Sequence, residues 1–460
     1  MTVTIDPITG DSTNWAGSGD LRLGFSDNNQ KMLVGVSIDE FKVFNRSLTL
    51  PEVHVLAGKP GPSNDLRSFF VTTQSENYRS NFRAIKKLRD QENMILTHAP
   101  EVMVMKDLPE PRETHVLYRG QYDQPLDKVE PGTPKAILPF SESLPRNRLG
   151  LAQWLFDEAN PLTARVAVNR LWQQVFGTGI VRTSDNFGSQ GAVPTHPELL
   201  DYLAVEYRAS GWDTKKMLRR LVLSATYRQS SFTSPEVRER DPDNKLLARG
   251  PSRRLTAEMM RDNALATSGL LVSSIGGPPV KPYQPAGLWE EQATRNGTKY
   301  VQDHGESLYR RSMYTIWKRT TPPPAMMNFD TSERNLCIIK RQSTATPLQA
   351  LVLMNDPQFI EAARLLAERM LSEGGKQDES RIRFGFRSLT GMEPSTENVE
   401  TLRRLLDQER KRFARDPNGA RQLASAGEFR ANDTLPASEV AAFATVATTL
   451  LNFDATQVVR

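Results

Sequence analysis

The sequence predicts a mainly α-helical protein with a minor β part. A large multi-helix domain over 147–460 follows the closing strands of a truncated β-sandwich over 1–58 and a small β-containing connector over 59–146. Three observations carry this. From Asn147 onward apolar residues recur every three or four positions, the period of a helix with one buried face. Before residue 58 they alternate, the period of a strand. Between these regions, Pro and Gly interrupt every periodic run.

In chain order, Leu21–Phe25 is a short strand and Asp27-Asn28-Asn29 supplies turn chemistry. The run from Leu33 to Phe44 alternates, with Ile38, Phe41 and Val43 on one face. Two or three strands cannot bury a sandwich core alone. Gly58–Asp65 is a linker by composition. A charged helix is expected over Glu76–Glu92, with Tyr78, Phe82, Ile85 and Leu88 on one face. Strand pieces follow at Glu101–Met105, Thr114–Arg119 and Ala136–Leu138.

The helical half shows four stripes: Leu151, Ala152, Leu155, Phe156; Val168, Leu171, Trp172, Val175, Phe176; Leu199, Leu200, Leu203, Ala204, Tyr207; and Met217, Leu218, Leu221, Val222, Ala225. Thr195-His196-Pro197-Glu198 has the form of a capping box, and Asp213 is placed to cap the following helix. Further helices are expected at about 256–273, 347–371, 395–414 and 436–452, with irregular chain over 276–330 and a loose surface segment over 415–436.

The totals exclude several classes. Of 460 residues, 38% are hydrophobic and 25% charged, a folded composition rather than a disordered one. No run approaches the roughly 18 apolar residues of a membrane span, and the N-terminus has neither the basic nor the apolar region of a signal peptide. A net charge of +5 permits attraction to anionic polymers without requiring it. The single cysteine, Cys337, excludes an internal disulfide and a CxxCH haem attachment within this chain; its apolar neighbours predict burial.

His54, His98, His115, His196 and His304 form no local pair, so no metal site is expected. No GxSxG elbow and no Gly-rich phosphate loop is present. The richest polar and aromatic set begins with Arg165, Asn169, Arg170 and Trp172 on one helix, followed by Asp185 and Asn186. Arg254, Glu258, Arg261 and Asp262 share a second helical face. Tyr309, Arg310, Arg311, Tyr314, Trp317, Lys318 and Arg319 come next. The bland reading is a buried network of ion pairs and hydrogen bonds that stitches helices to irregular segments. The sharper one is a cleft in which guanidinium forks hold sulfate or carboxylate while aromatic faces stack on sugar rings. The basic face Lys215, Lys216, Arg219 and Arg220 follows a Gly turn as in a helix-turn-helix, but a solvated face explains it, so nucleic acid is not the expected partner.

The run Asn160-Pro161-Leu162-Thr163-Ala164-Arg165-Val166-Ala167-Val168-Asn169-Arg170-Leu171-Trp172 continues through Phe176-Gly177-Thr178-Gly179 and Asp185-Asn186-Phe187-Gly188 to Pro194–Asp201. Ser224-Ala225-Thr226-Tyr227-Arg228, Arg254–Glu258, Tyr309–Tyr314 and Thr346–Leu351 with Asn355-Asp356-Pro357 follow. Together these resemble the DUF1553 (PSD1) family, abundant in Planctomycetes, from about residue 100 to the C-terminus. Gly35–Leu48 with Pro51-Glu52-Val53 resembles the closing strands of a LamG-like jelly roll.

The resemblance implies a longer exported parent with a DUF1549 domain and often a cytochrome-c-like haem region upstream; it supplies no catalytic residue and no cofactor for this chain. The expected role is an extracytoplasmic binding or assembly module associated with sulfated or acidic polysaccharide. The alternatives are an enzyme acting on acidic glycans, with Asp185, His196, Glu258 or Asp262 as acid or base, and an accessory partner of a cytochrome-like electron-transfer module.

Overall fold

The structure, a computed structural model, describes residues 44, 48–59, 66–99, 101–108, 110, 112–291 and 299–459. Two compact units divide the chain, Met1–Arg112 and Glu113–Arg460. The jelly-roll strands expected before residue 48 lie, apart from Phe44, outside the described residues.

In the first unit, helix α1 (Leu50–Leu56) begins at Thr49, whose backbone N–H donates to Glu52 Oε2 at 2.8 Å. Helix α2 spans Leu66–Thr73, and α3 spans Glu76–His98, beyond the expected end at Glu92. Ser75 caps α3 by accepting from the Tyr78 N–H, and Tyr78 stacks on Phe82 one turn later. The strand expected at Glu101–Met105 does not form: that stretch is unpaired and exposed.

The second unit opens with strands β1 (Thr114–Leu117) and β2 (Pro125–Val129), antiparallel, with Thr114 opposite Val129. Strand β2 was not anticipated, and Ala136–Leu138 is a turn rather than a strand. Helices α4 (Arg148–Leu155), α5 (Thr163–Phe176), α6 (Pro197–Ala209), α7 (Thr214–Leu223) and the short α8 (Pro235–Arg240) follow. The predicted stripes of α5, α6 and α7 meet in one core of Val168, Trp172, Val175, Leu200, Leu203, Tyr207, Met217 and Leu221. Each such side chain contributes roughly 1.5–3 kcal/mol on full burial. Asp213 caps α7 as expected, accepting from the Lys216 N–H at 2.9 Å. The capping box at Thr195 does not form: the N-cap is His196, without a side-chain cap bond, and Thr195 Oγ1 donates instead to the Ile180 carbonyl.

A larger helical group completes the unit. Strand β3 (Arg253–Arg254) pairs antiparallel with β4 (Val458–Val459), so the chain's end returns beside the start of α9 (Ala257–Ser268). Helices α10 (Leu288–Glu291) and α11 (Pro324–Asn328), with two 3₁₀ turns at Gly305–Tyr309 and Ser312–Tyr314, punctuate the irregular stretch. Instead of one helix over 347–371 there are two, α12 (Pro347–Asn355) and α13 (Pro357–Glu373). Pro357 disfavours helical geometry at Asp356, and the Asp356 carboxylate accepts from the Gln358 N–H to start α13.

Helix α14 (Asp378–Thr390) was not anticipated. It crosses α13 closely at Gly385, where a Cβ would lie 2.8 Å from Met370 Sδ. Helices α15 (Thr396–Arg415), α16 (Pro417–Ala424), α17 (Ala437–Leu451) and α18 (Asp454–Gln457) follow. The segment expected to be loose therefore contains a helix, and Ala420 and Ala424 are buried. Helix α17 is apolar on nearly every face and forms the axis of this core, packed by α13, α15 and α16. No helix among the described residues is long and apolar enough to cross a membrane.

Candidate functional site

Helix α5 supplies the first wall. Asn169 is fully buried: its Oδ1 accepts from the Val181 N–H at 2.8 Å, and its Nδ2 donates to the Val181 carbonyl at 3.0 Å and to Ser184 Oγ at 3.3 Å. Gly179 makes this possible, because a Cβ there would sit 2.6 Å from Asn169 Nδ2. Asn169 therefore holds the loop after α5 and faces no solvent. Trp172 and Phe176 stack at 4.0 Å between ring centroids. One helical step away, Arg170 is exposed and has no hydrogen-bond or ion-pair partner among the described residues.

Helix α9 is the second wall, and its polar residues divide by direction. Arg261 points inward. Its Nε donates to Gln358 Oε1 at 2.6 Å, Nη1 to the Arg310 carbonyl and Ser312 Oγ, and Nη2 to the Leu308 carbonyl at 2.7 Å. Burial lowers its pKa to about 10, against opposing attraction from Asp262, so it stays charged at neutral pH. Asp262 accepts from the Ser312 N–H at 2.8 Å and from Ser312 Oγ at 2.6 Å. Arg310 donates to the carbonyls of Pro278, Ser274 and Gly276 and lies 4.0 Å over the Tyr314 ring. Tyr314 Oη accepts from the Gly276 N–H, and Tyr309 Oη donates to the buried Glu361. Arg261, Tyr309, Arg310 and Tyr314 thus form the stitching network: they fix irregular chain within 270–291 and 299–315 against α9 and α13.

The outward faces of the same elements enclose a cleft of about 790 Å³. Five arginines line it, Arg170, Arg253, Arg254, Arg311 and Arg341, against three carboxylates, Glu258, Asp262 and Asp330. The carboxylates are occupied. Arg341 donates twice to Glu258, at 3.0 and 2.7 Å. Burial pushes the Glu258 carboxyl up, but that pair and hydrogen bonds at the start of α9 hold it below the ordinary carboxylate range. Asp330 accepts from the Thr344 N–H and hydroxyl. Among the arginines, Arg254 donates to Gln349 Oε1 at 2.9 Å and to Gln457. Arg311, like Arg170, is exposed with no partner among the described residues. Phe176, Phe329, Met313, Ile338 and Ile339 supply apolar surface between the charges.

A second cleft, about 500 Å³, lies on the other side of the α5 end and contains His196, Trp172 and Phe232. His196 is half-buried there, its Nδ1 3.0 Å from Thr195 Oγ1. The remaining sequence-selected residues do not gather with these. Arg165 donates to Asp201 at 2.6 Å and to the Pro161 carbonyl. Asp185 is exposed and lines neither cleft; Asn186 closes a turn by accepting from the Gly188 N–H at 2.9 Å. Lys318 sits 4.7 Å over the Trp289 ring, and Arg319 is exposed away from both clefts.

Sequence reasoning missed Arg253 and Arg341. Arg253 adjoins a motif, and a census of arginines near Arg254 would have included it. Arg341 is brought to α9 only by tertiary structure. Cys337, expected to be buried, is exposed. Among the described residues no group of three His, Cys, Asp or Glu side chains is arranged to hold a metal ion.

Among known families, the one described as PSD1, protein of unknown function (DUF1553), matches residues 147–406. No curated protein and no solved structure matches.

Proposed function

The chain belongs to the PSD1 (DUF1553) family, and from that premise we propose that its arginine-lined cleft binds the sulfate or carboxylate groups of an acidic polysaccharide. The observation that carries the reading is the pair Arg170 and Arg311, two guanidinium groups facing one cleft with no protein partner among the described residues. A planar guanidinium matches an oxyanion in two parallel hydrogen bonds, and the apolar side chains between them offer faces for sugar rings. In the same reading the protein is an extracytoplasmic module of planctomycete type. Its N-terminal residues finish a LamG-like jelly roll, and its neighbours in the parent are a DUF1549 domain and a haem-bearing, cytochrome-like region.

The binding reading has more support than the enzymatic one. A general acid needs a proton near neutral pH, and Arg341 keeps Glu258 ionised. Asp262 is engaged by Ser312, and Asp185 lies off the cleft.

The test is calorimetric titration with a sulfated galactan, a polygalacturonate and an unsulfated galactan. Either charged polymer should bind with an affinity that falls as salt rises, and Arg170→Ala with Arg311→Ala should weaken it about tenfold or more, since charged hydrogen bonds contribute roughly 1.5–3 kcal/mol each. Equal binding of the neutral polymer, or none of either charged one, removes the proposal.

A further inference from the structure

The two clefts share a wall. Phe176, Thr178 and Ser252 line both, so the end of α5 and the approach to β3 form a low divide. The smaller cleft has the same sign of charge as the larger: Arg182, Arg238, Lys245 and Arg249 stand against the single carboxylate Asp243. Asp243 is taken by Arg182 at 2.6 Å, with Lys245 3.6 Å away, and Arg249 donates to the carbonyls of Asp241 and Pro242. Arg238 is exposed and has no partner among the described residues. Each cleft has a volume within the roughly 300–1,000 Å³ of a single-ligand pocket, and together they exceed it. At the divide, Phe176 is partly exposed and stacks on Trp172, with Tyr227 edge-on at 5.9 Å.

We infer that the clefts are consecutive subsites of one trough, and that the ligand is an extended polyanion with charged groups on both sides of a ring seated at Phe176. This rests on the anion-binding reading above and specifies its ligand: a polymer of several residues rather than a monosaccharide or a free anion. Two subsites on one chain act as linked sites, so occupying the first raises the effective concentration at the second. Affinity should therefore climb with oligomer length until both are filled and then level off. A lone cleft would reach its limit with the shortest oligomer that fills it.

The experiment uses the full chain and two size-fractionated series, sulfated galactan oligomers and oligogalacturonates, from disaccharide to dodecasaccharide. In the series that binds, affinity should rise at least tenfold from disaccharide to octasaccharide. Arg238→Ala with Lys245→Ala should abolish most of that rise. Arg403→Ala with Lys411→Ala on α15, which lines neither cleft, should leave the length profile intact and so separate the trough from general positive potential. Binding without length dependence overturns the trough while sparing the anion site. A rise that survives the Arg238 and Lys245 substitutions, or falls equally with the α15 pair, also overturns it. No binding at any length overturns both proposals.

Discussion

Arg261 on α9 and Arg170 on α5 carry the same charge and do opposite things. Arg261 satisfies its guanidinium inside the protein, with acceptors from Gln358, Leu308, Arg310 and Ser312. Replacing it by Met leaves several buried acceptors unpaired, each costing about 1–3 kcal/mol. Arg261→Met should therefore lower unfolding free energy by about 3–5 kcal/mol in urea titration; a loss below about 1 kcal/mol would show that the node supports nothing. Glu258 makes the complementary case within the cleft. It competes for Arg341, so Glu258→Gln frees a guanidinium and removes a negative charge from the wall. Affinity for the sulfated galactan should rise about three- to tenfold, the size of a ~1 kcal/mol change. Unchanged or weaker binding in calorimetry would place Arg341 outside the ligand's reach.

Among the helices, the clearest electrostatic clasp is Arg410 on α15. It donates to Asp378 at 2.5 and 2.9 Å and to Glu439 at 2.9 and 2.7 Å, so one side chain joins the first turns of α14 and α17. Hydrogen bonding to Arg410 holds the Asp378 carboxyl below its ordinary value against the effect of burial. A carboxyl depressed on folding contributes stability that is present above its unfolded pKa of about 3.9 and is lost as pH falls through the lower folded value. Arg410→Met should cost about 1–2 kcal/mol at neutral pH, and its stability should fall less steeply between about pH 4 and pH 2 than the parent's. Parallel acid slopes would mean that the clasp is not linked to that titration.

The elements themselves were partly legible. Stripes of Leu, Val and Trp announced α5, α6 and α7, because burial at helical period survives any tertiary arrangement. Helix α14 has its own stripe, Ile382, Phe386 and Leu389, but Gly385 and three arginines dilute it; the glycine is required by Met370, a residue distant in sequence. Helix α16 was hidden by Pro417-Asn418-Gly419, which has turn composition, although Asp416 before Pro417 is a helix start. For the site, residue type pointed to arginine chemistry. Which arginines face inward and which face the cleft depends on Gln358, Ser312 and Arg341, and no local pattern encodes those meetings.

At the scale of the whole molecule, every buried apolar cluster of the described chain belongs to Glu113–Arg460. The pairing of β3 with β4 joins Arg253 to Val459 and closes the larger helical group on itself, so its last strand is a structural part rather than a tail. Both clefts are lined wholly from this unit. A chain beginning at Glu113 should therefore fold by itself, because no described core residue is removed with 1–112. It should show one cooperative thermal transition within about 2 °C of the corresponding transition of the full protein, a difference of roughly 1.5 kcal/mol for a unit of this size. It should also bind the same anionic polymer with unchanged affinity. A broad, non-cooperative melt measured by circular dichroism would mean that residues before Glu113 complete the core, and normal melting with lost binding would place part of the ligand site among them.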